Sequence, residues 1–155
     1  TPVAITQTPS HNEALPQFSP DDRYIAYQSD ETGRFEIYVM TFPEGYEKTV
    51  VSVDGGVHPR WGVDGDTWYL YYVEGDRLMA SRIEFRPRLE ASLPEPLFTE
   101  ESANVVLHFD GNPFYNTKYA VSPDGRFVMV RNVEQDDTPT ITVVQNWVRE
   151  FDDRK

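Results

Sequence analysis

Three stretches of the chain share a sequence motif, which we call the repeated phrase: Phe18-Ser19-Pro20-Asp21-Asp22-Arg23, Trp61-Gly62-Val63-Asp64-Gly65-Asp66 and Val121-Ser122-Pro123-Asp124-Gly125-Arg126. Each phrase lies between two short apolar runs, which predicts a repeated unit of strand, turn and strand. Proline presets φ at about −65°, aspartate bonds nearby backbone, and glycine accepts a positive φ, so these residue types suit a tight turn. Asp22 stands where the other copies have Gly65 and Gly125, and we expect it to adopt the left-handed conformation at some cost.

Composition excludes several classes of protein. The chain has 155 residues, 39% of them hydrophobic and 14% aromatic, which is enough for one domain with a core. It has no cysteine, so it holds neither a disulfide nor a thiolate metal site. A net charge of −12 repels phosphate backbones and anionic membrane surfaces, which argues against a nucleic-acid partner. No run approaches the roughly 20 apolar residues of a membrane span, so we expect no direct membrane insertion.

The apolar runs and the Gly, Pro and Asp turns divide the chain into units of four strands. Forty-three residues separate Phe18 from Trp61, which fits the roughly 40 to 50 residue period of a propeller blade, and 60 separate Trp61 from Val121. The longer interval predicts an insertion. The predicted divisions are an orphan strand at 3–6, a blade at 15–52, a blade at 58–99, an insertion at 100–117, a blade at 118–145 and a tail at 146–155.

The strands themselves favour a propeller. Runs such as Tyr69–Val73 and Ile37–Met40 are apolar at consecutive positions, so both faces of their sheets must be covered. Radially stacked blades cover both faces of a sheet, whereas a two-layer sandwich, the alternative, leaves one face of each sheet in water. Trp147 and Phe151, four apart in the tail, predict a short C-terminal helix. The predicted fold is therefore an all-β propeller of four-stranded antiparallel blades, three per chain.

Three blades cannot close a ring, because the first and third would each expose an apolar sheet face. Propellers have about 4 to 8 blades, and two copies of this chain supply six. The third unit lacks a fourth strand, whereas Val3–Thr6 is a strand without a unit, and Thr1 reads as a cut or processed end. We therefore expect a homodimer in which Val3–Thr6 of each copy completes the last blade of the other. The alternative is a truncated fragment that pairs only by accident.

The chain resembles the bacterial TolB-like, WD-type β-propeller repeats. The resemblance covers nearly the whole chain and lies in Pro16–Tyr27, in the looser Pro59–Gly65 and in Val121–Phe127, with Gly62 and Val63 replacing the usual Ser-Pro. The runs Ser29–Val39 and Ile141–Trp147 are similar more narrowly to the C-terminal propeller half of bacterial serine/threonine kinases. That resemblance implies a sensor or interaction module of a larger receptor-type kinase, placed outside the cytoplasm. None of the kinase's own motifs is present.

Candidate catalytic and metal-binding residues form no recognisable constellation. A metal site drawn from His11, His58, His108 and Asp110 matches no known ligand spacing, so we expect neither metal nor other cofactor. The serines lack a Gly-x-Ser-x-Gly elbow, and we expect no enzymatic activity. The recurring residues Asp21, Asp64, Asp124, Gly65 and Gly125 suit turns, since an active site would not be repeated once in every unit.

Two surfaces are candidates for binding. The first is the channel mouth lined by the innermost strands, with the residues Glu13, Gln17, His58, Arg60, Lys118 and Tyr119. Its cations would suit a carboxylate or an acidic peptide, the alternative being a channel filled with water. The second is the inserted loop, whose Phe109, Phe114 and Tyr115 could cap one end or hold a partner.

Two functions of different classes remain. The first is a non-enzymatic interaction or sensor module of a larger bacterial protein, such as a receptor-type serine/threonine kinase, which binds a protein or small ligand. The second is the non-catalytic propeller part of a peptidase-like hydrolase; a freestanding lytic enzyme would need turnover from this chain alone. The neighbouring coding sequence separates them, because a kinase domain upstream supports the first and an α/β-hydrolase domain downstream supports the second.

Overall fold

The computed structural model describes residues 4–6, 9–107 and 117–131, and the backbone of 141–144. The described residues form three antiparallel sheets with one short helix, so the all-β class is confirmed. The predicted tail helix at 146–155 lies outside the described residues. No helix in the described ranges is long and apolar enough to cross a bilayer.

The first sheet is a four-stranded meander in which each strand pairs with the next along the chain. Its strands are β1 (Glu13–Phe18), β2 (Tyr24–Ser29), β3 (Glu36–Thr41) and β4 (Lys48–Val50). Residues 4–6 precede it and are not in a strand within the single chain, and Val3 itself lies outside the described residues, so the strand that was predicted at Val3–Thr6 to complete a blade of a second copy stays a prediction. A strand is defined by its backbone ladder, which requires a neighbouring strand.

The second sheet contains β5 (Val57–Asp64), β6 (Thr67–Glu74), β7 (Arg77–Glu84), β8 (Glu90–Ala91) and β9 (Glu95–Thr99). Both β8 and β9 pair with β7, at Ile83–Glu84 and at Arg77–Ala80 respectively. They therefore lie end to end along one edge of the sheet.

The third sheet contains β10 (Val105–Val106), β11 (Tyr119–Val121), β12 (Phe127–Arg131) and β13 (Ile141–Val144). Because β13 pairs with Phe127–Val130, β10 and β11 share the other edge of β12. The predicted insertion at 100–117 thus begins with structure that the periodicity did not indicate, namely helix α1 (Glu100–Ala103) and β10. The missed signal is a capping box, in which Thr99 and Ser102 exchange hydrogen bonds at the start of α1.

The three sheets stack face to face in chain order. Ala26, Ile37 and Val39 of the first sheet pack against residues of the second that include Leu70, Tyr72 and Met79. On its opposite face the second sheet packs Tyr71, Val73 and Leu78 against residues of the third that include Tyr119, Phe127 and Met129. Consecutive residues of β6 therefore point alternately to two apolar interfaces, which confirms that both faces of this sheet are covered.

The first and third turns are closed by a serine and an aspartate. Ser19 Oγ accepts from the backbone N–H of Tyr24 at 3.0 Å and donates to Asp21 Oδ1 at 2.8 Å. In the third turn Ser122 Oγ accepts from the N–H of Arg126 at 3.0 Å and donates to Asp124. The left-handed conformation expected of Asp22 is confirmed by its φ of 59°.

The second turn differs from the other two. The strand β5 runs on to Asp64, which pairs with Thr67, and only Gly65 and Asp66 form the loop. The expectation that the strand ends at Trp61 and the turn begins at Gly62 is therefore wrong. Gly62 and Val63 both have backbone N–H groups and lack the serine hydroxyl, so nothing prevents them from pairing with β6.

The carboxylate of Asp21 gives the first turn a pH dependence. Burial opposes its ionisation, but hydrogen bonds from Ser19 and Arg23 outweigh burial and hold the pKa of Asp21 below its usual 3.8. A carboxyl whose folded pKa is depressed stabilises the fold above its unfolded pKa and loses that contribution as pH falls through the folded pKa. We expect Asp21→Asn to cost about 1 kcal/mol at pH 7 and to flatten the loss of stability below the usual carboxyl pKa. Urea unfolding at several pH values measures both effects.

Asp22→Asn is the matched control, because it removes the same charge from the next residue. The side chain of Asp22 makes no hydrogen bond that the structure records, and asparagine also adopts the left-handed conformation. We expect a change within about 0.5 kcal/mol. Equal losses for the two variants would show that net charge, rather than the bonds of the turn, sets the effect.

Candidate functional site

One edge strand of each sheet, β1, β5 and β11, lies next to an edge strand of the neighbouring sheet. Both β1 and β11 contact β5, so the inner edges of the sheets lie side by side. Between them is a groove of about 300 Å³. Its lining residues come from all three inner strands and their turns: Gln17, Phe18, Pro20, Arg60, Trp61, Gly62, Val63, Val121, Ser122 and Pro123. We call this the inner groove.

Arg60 supplies the positive charge of the inner groove. Its Nη1 donates to the carbonyl of Pro59 at 2.8 Å, and its Nη2 donates to Thr117 Oγ1 at 2.8 Å. These bonds use two of the five N–H donors of the guanidinium, which is thereby held in place while donors remain for a ligand. Trp61 forms part of the wall, and its Nε1 donates to the carbonyl of Gln17 at 3.1 Å, which joins β5 to β1.

Of the six residues predicted for the channel mouth, Gln17 and Arg60 line the inner groove. His58 and Tyr119 do not line it, because they are buried, 1% and 4% exposed. The Tyr119 hydroxyl donates to the carbonyl of His58 at 2.7 Å, and the backbone N–H of His58 donates to Gln28 Oε1 at 2.9 Å. Burial raises the pKa of the Tyr119 phenol far above its usual value, so this hydroxyl keeps its proton and acts as a donor. This pair joins the second and third sheets and is not available to a ligand.

A bulge explains the position of His58. The pairing of β5 with β6 shifts register between Val57 and Arg60, and His58 has a φ of 60°. In a regular strand, side chains alternate, and His58 would lie on the same side of the sheet as Arg60. The extra residue of a bulge shifts this alternation, so His58 lies on the opposite side from Arg60. The first sheet has an equivalent bulge at Leu15, which has a φ of 53° and lies within a register shift between Ala14 and Gln17. Both left-handed residues precede a proline, and the repeated Pro16 and Pro59 are the signal that could have predicted the bulges.

The remaining predicted residues lie elsewhere. Glu13 lines a separate groove of about 330 Å³ together with residues 4–6. Lys118 is half-buried, and its carbonyl accepts from the N–H of Val130 at 3.1 Å, but it does not line the inner groove. Phe109, Phe114 and Tyr115 of the predicted partner loop lie outside the described residues, as do His108 and Asp110. In the ranges that the structure describes, no group of three His, Cys, Asp or Glu side chains could hold a metal.

The prolines of the turns are the functional candidates that the sequence reading missed. Pro20 and Pro123 line the inner groove, although their turns were interpreted as purely structural. The repeated phrase itself was the signal. When sheets stack, their equivalent turns lie side by side, so the prolines of these turns can line one groove. A turn that is structural by its hydrogen bonds can also provide the wall of a site.

No known protein family matches the sequence, and no curated protein matches it. Among solved structures, the chain is similar to TolB from Acinetobacter baumannii, with 15% sequence identity and a TM-score of 0.45. The alignment covers 85% of this chain and 43% of that one, so the chain spans less than half of the TolB chain.

Proposed function

We propose that this chain is a non-enzymatic β-propeller module whose inner groove binds a carboxylate-bearing ligand, such as an acidic peptide. The observation that carries the proposal is the convergence of three inner strands on Arg60. A groove built from three separate sheets is positioned by the whole stack, which favours a binding site over an incidental surface depression.

The chemistry of the inner groove supports an anionic ligand. A guanidinium presents planar, paired donors that match a carboxylate, and charge-assisted bonds of this kind are stronger than neutral ones. Trp61, Val121 and Pro123 surround it with apolar surface, which lowers the local dielectric and strengthens the attraction. The chain as a whole carries a net charge of −12, so a local cation selects where an acidic ligand can approach.

We further propose that the module belongs to a larger bacterial protein, a receptor-type serine/threonine kinase, in which it senses a ligand outside the cytoplasm. The support for this is the sequence resemblance in Ser29–Val39. The test is the neighbouring coding sequence. A kinase domain upstream agrees with the proposal, and an α/β-hydrolase domain downstream contradicts it.

The inner groove gives a direct prediction for Arg60→Ala. We expect this variant to bind a hexaglutamate peptide roughly 10 to 100 times more weakly than the wild type, because a hydrogen bond to a charged group contributes about 1.5 to 3 kcal/mol. Trp61 lines the groove, so its fluorescence should change as the peptide is titrated. Affinity should also fall as salt is added, since salt screens the attraction.

Arg88→Ala is the matched control for this titration. It removes the same charge, but Arg88 is 74% exposed, pairs with Glu90 and lies outside the inner groove. We expect its affinity for the peptide to remain within about twofold of the wild type. Equal weakening in both variants, or no saturable binding by the wild type, would contradict the assignment of the site.

A further inference from the structure

The two ends of the stack carry sheet faces that no other sheet covers among the residues that the structure describes. On the third sheet, Phe127 and Met129 point to the second sheet, and Val128 and Val130 point away, 36% and 48% exposed. Val128 pairs with the exposed Ala120, and Val130 pairs with Val106, so these small apolar residues share one face. We call this the third outer face.

The first sheet has its own outer face, made of larger side chains. Ile25 pairs with Met40 and Tyr27 with Tyr38, and the four pack together on the side away from the second sheet. Phe18 pairs with Ile25 on the same side and is 54% exposed. We call this the first outer face.

Residues 4–6 cover the first outer face incompletely. Together with Ile25, Tyr27 and Met40 they enclose the groove of about 330 Å³, so the segment does not fill the space above the sheet. Ile5 is itself 42% exposed, so the segment also leaves its own apolar side chain in water. Protein interfaces are close-packed, and a gap of this size indicates that a better-fitting surface belongs there.

We propose that the third outer face of one copy docks on the first outer face of a second copy, and that residues 4–6 leave that face so that Val3–Thr6 pairs with β13 of the other copy. The β13 edge opposite β12 has no partner strand among the described residues. Displacement of the segment therefore uncovers an apolar face and provides a strand for an open edge in one step.

Size complementarity supports this occupant. Between the first and second sheets, the small residues Ala26 and Val39 of the first sheet meet larger ones such as Tyr72 and Met79 of the second. The two outer faces repeat that combination, with alanine and valine on the third sheet and isoleucine, tyrosine and methionine on the first. The proposed interface between two copies would thus pair small and large side chains as the interface between the first and second sheets does.

The direction of stacking supports it as well. Each sheet can pack one face, its predecessor face, against the sheet before it in the chain, and the other, its successor face, against the sheet after it. Both interfaces within the chain join the successor face of one sheet to the predecessor face of the next. The third outer face is a successor face, and the first outer face is a predecessor face. Two copies therefore close with two identical interfaces and six sheets, within the range of about 4 to 8 for propellers.

The mass of the wild-type chain, measured by light scattering at tens of micromolar, should be that of a dimer. Val130→Asp should reduce it to a monomer, because the substitution places a charge at the centre of the apolar contact. Leu93→Asp is the control, since Leu93 is 82% exposed on neither outer face, and it should remain dimeric. Circular dichroism checks that both variants fold. A monomeric wild type would overturn the proposal.

Cross-linking tests which faces meet, because the chain has no cysteine of its own. With a short bis-maleimide, a mixture of Val128→Cys and Phe18→Cys copies should form covalent dimers, whereas Val128→Cys alone should not. Efficient cross-linking of Val128→Cys alone would mean that two third outer faces meet and would overturn the proposed docking. Each copy carries a net charge of −12, so added salt should strengthen the dimer by screening the repulsion between copies. Salt should have the opposite effect on peptide binding at Arg60, which depends on attraction.

Discussion

Phe127→Ala is expected to lower the free energy of unfolding by about 3 to 5 kcal/mol, a large part of the roughly 5 to 15 kcal/mol that stabilises a typical domain. Phe127 is 0% exposed and lies between the second and third sheets. Its ring meets Tyr71 edge to face, with centroids 4.8 Å apart and planes at 77°. Truncation leaves a cavity and removes this contact. Urea denaturation followed by circular dichroism measures the loss.

Val128→Ala is the control that makes the result specific. Val128 is the next residue of the same strand but lies on the third outer face, where it is 36% exposed. We expect it to cost about 1 kcal/mol or less at concentrations at which the chain is monomeric. If the two truncations were equally costly in the monomer, Phe127 would not lie at an interface between stacked sheets.

Glu36→Ala is expected to cost about 2 to 4 kcal/mol. Glu36 is 4% exposed at the start of β3, and its carboxylate accepts from Arg34 Nε at 2.5 Å, from the Ser52 hydroxyl and from the N–H of Gly55 at 3.1 Å. These bonds join β3 to the segment that leads into the second sheet. Their loss leaves the proton of the buried Ser52 hydroxyl and the N–H of Gly55 without acceptors, although Ser52 Oγ still accepts from the N–H of Ile37, and this costs more than the loss of a surface ion pair. Thermal and urea unfolding both measure the effect.

Two further variants separate the parts of this network. Asp54→Ala removes a neighbouring carboxylate that is 79% exposed and 3.9 Å from Arg34, and we expect a change within about 0.5 kcal/mol. Glu36→Gln keeps one acceptor for Ser52 and Gly55 and loses the ion pair with Arg34, so its cost should fall between the other two. A loss from Asp54→Ala as large as that from Glu36→Ala would refute the network as the cause.

Much of the fold was predictable because the responsible interactions are local. Consecutive apolar residues in Tyr69–Val73 required a sheet covered on both faces, and Tyr71 and Tyr72 do point to opposite interfaces. The Ser-Pro-Asp phrase predicted the turns at Ser19 and Ser122, where the serine hydroxyl reaches backbone only a few residues away.

The candidate site was predicted in part. Gln17 and Arg60, two of the six residues predicted for a channel mouth, line one groove. His58 was misplaced because a bulge reverses the alternation on which the prediction depended, and the second turn was misplaced because Gly62 and Val63 pair within β5. In both cases one irregular residue in a strand changed which side chains share a face.

The sequence by itself determined most of the strands, the chemistry of two of the turns and the requirement that sheets be stacked, because these depend on residues close together in the chain. Only the tertiary structure decided which inner-strand residues line the inner groove. Arg60 is held by Thr117 and Tyr119 is bound to His58 across separations of 57 and 61 residues. Contacts between segments so far apart form only after the sheets have stacked, and no local periodicity encodes them.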